Sequence, residues 1–261
     1  MFTSTISGIN RLPNEDKREI FSRMVPPELL EYFGISAKMA DPDGNVLMKL
    51  NAPEGKSIAE MSLFHKIEFP DPVLYGQIAD TMNGQFHIML YILNDPEAPR
   101  FNVDRLADGT PTQFGILHRN LEAERAAMDF GLAPGQIRKG LRLLGEAIQA
   151  FEGFLTSLGH DLHFVEPLFY HNAILFERYG YAYERGRRLM ECIQAGFSPQ
   201  GDLLPRLDGS TPFRNPEAAA SIRLRSWAIH DGLLGEPFTN VTMYKRVGAL
   251  AGVSTCNDCQ W

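Results

Sequence analysis

Asn83-Gly84 stands between two strand-like segments, VLYGQIAD (73–80) and QFHIMLYILND (85–95), and few short features constrain a fold as tightly. A two-residue turn of this kind needs positive φ at its central positions, which Asn and Gly tolerate. Its twist also matches that of two antiparallel strands. The chain must therefore contain a hairpin. The apolar run from Phe86 to Leu93 predicts a strand buried on both faces, central in its sheet.

Around that hairpin the sequence divides into three zones of an expected single domain, 1–261: helical over 1–42, strand-rich over 43–117 and helix-rich over 118–261. In the first zone, NEDKREIFSRMV and PPELLEYFG read as short helices, the second started by Pro26 and Pro27 and ended at Gly34. In the third zone, apolar residues at Ile137, Leu141, Leu144, Ile148, Phe151, Leu155 and Leu158 alternate steps of four and three, which predicts one amphipathic helix. HDLHFVE (160–166) is short enough for a strand, and a helical stretch follows from about Pro167 to Gly196. EAAASIRLRSWAIHDGLLG reads as helical, and NVTMYKRVG as a last strand.

Composition bounds the function. With 44% hydrophobic and 22% charged residues the chain can bury a sizeable core, and a formal charge of -7 with no lysine run argues against a nucleic-acid partner. No window approaches the about 18 apolar residues that a membrane helix needs, so a cytoplasmic protein without a membrane partner is expected. Three cysteines, Cys192, Cys256 and Cys259, are too few for a disulfide framework, and the C-x-x-C pair is expected to lie in an inert, frayed tail.

One placement is unusual. Arg138, Lys139 and Arg142 crowd the start of the predicted helix, where the helix dipole makes cations unfavourable unless an anion joins them. A Gly- and Arg-containing loop, an amphipathic helix, a short strand and then NAILFERYGY (172–181) resemble the acetyl-CoA-binding half of the GNAT acyltransferases. There a loop of the type R/Q-x-x-G-x-G/A precedes helix, strand and an N-x-x-A-x-x-x-Y segment. The resemblance covers about 133–181 closely. It implies a mixed, largely antiparallel α/β sheet flanked by helices, with helical insertions in the C-terminal half.

By the same resemblance, Gln136, Arg138, Lys139, Gly140, Arg142 and Asn172 would bind acetyl-CoA, the co-substrate, and the product would be an acetylated small-molecule amine. Glu166 would be the base, and Tyr170 or Tyr179 the acid, because the position of the family tyrosine holds Phe176. Arg142 stands where the family has a small loop residue. Arg138 and Lys139 are both expected to be exposed. A homodimer is kept open as the assembly.

Three other readings compete. Phe169, Phe176, Tyr183 and Met190 recur at a seven-residue interval, which one uninterrupted helix from Leu168 to Ala195 would explain. His160, His163, Glu166, His171 and Glu177 are the residue types of a zinc or iron site, although their spacing fits no standard motif and no metal is expected. A non-catalytic ligand-binding or structural protein is the third.

Overall fold

The computed structural model describes residues 4–113, 115, 118–256 and 259–261. Along the chain run α1 (Ile6–Ile9), α2 (Asn14–Ser22), α3 (Pro27–Phe33), β1 (Met48–Asn51), β2 (Ile58–Leu63), β3 (Leu74–Asp80), β4 (Phe86–Leu93), α4 (Leu121–Asp129), α5 (Leu144–Ser157), β5 (Leu162–Val165), α6 (Tyr170–Arg178), β6 (Ala182–Arg185), α7 (Arg187–Gly196), α8 (Ile222–His230) and β7 (Thr242–Arg246). The strands form a mixed, mostly antiparallel sheet of order β1-β2-β3-β4-β5-β7-β6. Among the described residues no helix is long and apolar enough to cross a membrane. The chain groups into two compact units: Met1–Glu97, Gly140–Glu166 and Tyr244–Ala249 in the first, Ala98–Lys139, Pro167–Met243 and Leu250–Trp261 in the second.

In the first unit, β1 to β4 pair antiparallel in chain order. Alternation along β2 and β3 turns Ala59, Met61, Leu63, Leu74 and Ile78 inward. Against them pack Phe21 and Leu29 of the N-terminal helices and Phe151, Phe154 and Leu155 of α5. Each such side chain contributes about 1.5–3 kcal/mol on burial. The expected hairpin is present, but its turn is longer than two residues: the Thr81 amide donates to the Gln85 carbonyl at 2.7 Å, and Gly84, with φ 73°, is left-handed whereas Asn83 is not. β4 takes the expected central place in the sheet, but it is not buried on both faces. Phe86 alone of its residues is buried and Met89 is exposed.

The helix predicted from Ile137 starts only at Leu144. Arg142 blocks the earlier turns: its φ of 61° lies outside the helical region. Arg138, Lys139 and Arg142 therefore precede the helix and are not part of its first turn.

The second unit has its own core of Val103, Ala127, Leu132, Ile137, Phe213 and Trp227, with the Trp227 indole donating to the Leu132 carbonyl at 2.8 Å. The uninterrupted helix from Leu168 to Ala195 does not form. α6 ends in a Schellman motif, in which the Tyr181 amide donates to Phe176 O, the Gly180 amide to Glu177 O, and Gly180 has φ 86°. Nor is the tail frayed. The Thr255 amide and hydroxyl donate to Glu177, and Gln260 exchanges backbone hydrogen bonds with Ala220 and Ile222.

Gly180→Ala should destabilise the protein by about 1–2 kcal/mol, the cost of a left-handed conformation for an L-residue. Urea unfolding measures this. An unchanged or raised midpoint would contradict the turn.

Candidate functional site

β3 and β4 pair from Leu74↔Leu93 to Gln77↔Leu90, and the register then resumes at Ile78↔Ile88. Met89 is thus one extra residue on β4, a β-bulge, and it is 40% exposed. On its other edge β4 pairs in parallel with β5 at Phe86↔His163, His87↔Phe164 and Ile88↔Val165, where the pairing ends. A bulge bends its strand and increases its twist. The pairing stops one residue before the bulge, where β5 itself ends, and β4 runs on to Leu93 with no β5 partner on that edge. An unpaired strand edge inside a sheet is a row of amides and carbonyls open to a ligand.

Glu166 follows β5 directly and is exposed, with its carboxylate 4.0 Å from His87 Nε2. Sequence reasoning missed His87, which was absorbed into an apolar run although it is the one ionisable side chain between Phe86 and Tyr91. Met89 was missed because a bulge leaves no period-two signature. Further along β4, the Tyr91 hydroxyl is buried with no hydrogen-bond partner among the described residues, and desolvation pushes its pKa up.

At the carboxyl end of β4 the chain returns through Gly140, close to the Leu93 carbonyl, and enters α5. Leu143 supplies no side-chain cap, so the first amides of this 14-residue helix are open to an anion. Arg142 is exposed just before them. Its left-handed backbone is the conformation glycine adopts most readily, at the position where the GNAT pattern has a small residue.

The remaining candidates lie in the second unit. Lys139 is exposed. Arg138 is not: it is 9% exposed and donates to the Ala98 carbonyl. Gln136 Oε1 accepts from the Ala133 amide at 2.8 Å, and Asn172 Oδ1 accepts from the Phe169 amide at 3.2 Å, capping α6. Tyr170 is buried, with its pKa raised by desolvation against the opposing charge of Arg225. Tyr179 is the half-buried residue that ends α6.

Two buried polar groupings in this unit were not foreseen. Glu124 accepts from Arg119 at 2.6 Å and lies 3.2 Å from His230, while Asp231 takes Arg119 and Arg214. Burial would raise the Glu124 carboxyl, but His230 and Arg119 hold it below its usual range. His171 Nδ1 lies 2.9 Å from Ser226 Oγ, with both residues buried.

No family model, curated protein or solved structure matches the chain. The ligand chemistry must be read from these residues alone.

The histidines and carboxylates proposed as a metal set do not converge. Among the described residues no three His, Cys, Asp or Glu side chains are grouped to hold a metal ion. His160 lies edge-on to Phe86, His163 to Phe151, His171 is engaged by Ser226, and Glu177 accepts from Tyr183 and Thr255.

Desolvation lowers the pKa of His163 and of His171 to about 3. The native state thus holds both neutral, whereas the unfolded chain protonates them near 6.5. Their contribution is fully present above about pH 6.5 and is lost as pH falls toward 3. The thermal midpoint should decline on acidification through this window, and His171→Gln should flatten the decline. An identical pH profile for a folded His171→Gln would contradict the assignment.

Proposed function

We propose that the chain is an acyl-CoA-dependent N-acyltransferase of GNAT type, and the observation that carries this reading is that β4 runs on past its bulge at Met89 after its parallel pairing with β5 has ended at Ile88. The open β4 edge fits an extended, amide-bearing pantetheine arm, which adds to a strand edge by main-chain hydrogen bonding. The uncapped start of α5, with Arg142 before it, fits a pyrophosphate. Gln136, Arg138 and Asn172 support the reading less, because their side chains are engaged within the protein. The strand at Leu162–Val165 and the helix stop at Gly180 also agree with it.

Bound acetyl-CoA would supply an activated acyl thioester. Glu166, with His87 beside it, removes the proton that a neutral-pH ammonium must lose before its nitrogen attacks. The bulge at Met89 leaves a main-chain amide outside the β3 ladder, and such an amide can donate to a developing oxyanion. The carbon–sulfur bond then breaks, and sulfur leaves as thiolate. A thiol of pKa about 8.5 is a good leaving group near neutrality, so Phe176 at the family tyrosine position does not bar the reaction.

Acetyl-CoA at a hundredfold excess over its Kd should stabilise the fold by about 2.7 kcal/mol, read as a thermal shift. Arg142→Gly should weaken binding roughly tenfold while preserving stability, because one charged contact is lost and a strained backbone relaxed. The absence of any shift at millimolar acetyl-CoA would remove the proposal. If binding is confirmed, Glu166→Gln should retain it and lose transfer to amines by about a hundredfold or more, as free-thiol release reports. Undiminished transfer would exclude Glu166 as the base.

A further inference from the structure

Cys256 and Cys259 are joined as a disulfide, with Cα atoms 5.7 Å apart, while Cys192 is a free, exposed thiol. The two sulfurs of the pair are not equivalent. Cys256 is 7% exposed, whereas Cys259 is only half-buried. Over Cys256 lies Arg225, itself 5% exposed, with a guanidinium nitrogen 3.4 Å from Sγ.

The other partners of Arg225 are neutral. It donates to the Ala219 carbonyl and to Gln194 Oε1, and its guanidinium stacks over the Phe197 ring at 4.6 Å. Among the described residues no carboxylate pairs with it. A buried cation without a counter-charge is unfavourable. Among the described residues two ionisable groups face it: the buried Tyr170 phenol, which desolvation keeps neutral, and Cys256, which becomes an anion only when the disulfide opens. Gln194 Oε1 also lies 3.6 Å from Cys259 Sγ, so one amide touches both the cation and the accessible sulfur.

We propose that Cys256–Cys259 is a thiol–disulfide exchange site that accepts electrons from a dithiol reductant. A thiolate of the reductant attacks the accessible Cys259 Sγ, a mixed disulfide forms, and the Sγ–Sγ bond breaks with its electron pair leaving on Cys256 beside Arg225. The second thiolate of the reductant attacks its own sulfur in the mixed disulfide and releases Cys259. Two electrons and two protons pass to the protein, and the reductant leaves as a disulfide. An electropositive neighbour favours the thiolate form, so Arg225 stabilises the leaving sulfur.

The pair is placed to act on its surroundings. Thr255, next to Cys256, is held by Glu177, and Gln260, next to Cys259, pairs with the start of α8.

Thiols are counted in the folded full-length chain after equilibration in dithiothreitol buffers. One thiol should become three, reversibly and with an unchanged far-UV spectrum. With glutathione disulfide, Cys256→Ser should form a mixed disulfide at Cys259 at least tenfold faster than Cys259→Ser does at Cys256. Arg225→Gln should shift the dithiol–disulfide equilibrium toward the disulfide by tenfold or more, and Arg225→Lys should restore it. If Arg225→Gln does not fold, the two serine variants decide. The proposal is overturned if the bond resists dithiothreitol until the protein unfolds, if both serine variants react alike, or if a folded Arg225→Gln leaves the equilibrium unmoved.

Discussion

One extra residue in a strand sets the terms for the candidate site. Where Met89 interrupts the β3–β4 register, β4 bends, and its parallel pairing with β5 stops one residue earlier, at Ile88. β5 ends at Val165, the partner of Ile88, and Pro167 has no N–H to carry the ladder further. The carboxyl-terminal half of β4 therefore runs past the bulge without a β5 partner on one edge. Gly140 lies at the end of that edge, where a Cβ would stand 3.3 Å from the Leu93 carbonyl oxygen. The α5 amides and the Glu166–His87 pair gain chemical meaning from the gap they accompany.

Much of the fold was legible because it rests on local chemistry. Asn83-Gly84 specified the hairpin, Pro27 and Gly34 bounded α3, and the spacing within Leu144–Leu158 matched a helix that exists. What failed depended on tertiary contacts. Ile137 and Leu141 continue the helical spacing, yet Arg142 breaks the backbone and each apolar side chain packs outside the helix. The run from Phe86 to Leu93 is apolar as a doubly buried strand would be, but the bulge exposes Met89. Of the proposed phosphate-binding group, Arg138 is buried because its guanidinium satisfies a carbonyl, a use of arginine that composition cannot separate from ligand binding. Conversely, Gly180 reads correctly as a stop, since left-handed backbone at a helix end is what glycine supplies most cheaply.

The buried charges divide by their partners. Glu124, Arg119, His230, Asp231 and Arg214 neutralise one another, and Lys245 is paired with Glu152, so these groups rigidify their units and leave little charge to spend on a ligand. Arg142 and Glu166 are exposed, and Arg225 is buried without a carboxylate partner among the described residues. In the proposed readings these three would serve an anion at the start of α5, a proton from an amine, and a thiolate at Cys256.

Hydrogen–deuterium exchange along β4, followed by mass spectrometry with and without acetyl-CoA, tests the central claim most directly. In the free protein, the amides at Phe86–Ile88 should exchange slowly and those facing the open edge over Met89–Leu93 faster. Saturating acetyl-CoA should slow the second group and leave the first unchanged. Uniform protection to Leu93 without ligand would show that the edge is already closed, and exchange indifferent to acetyl-CoA would show that it is not the ligand's seat; either result contradicts the account.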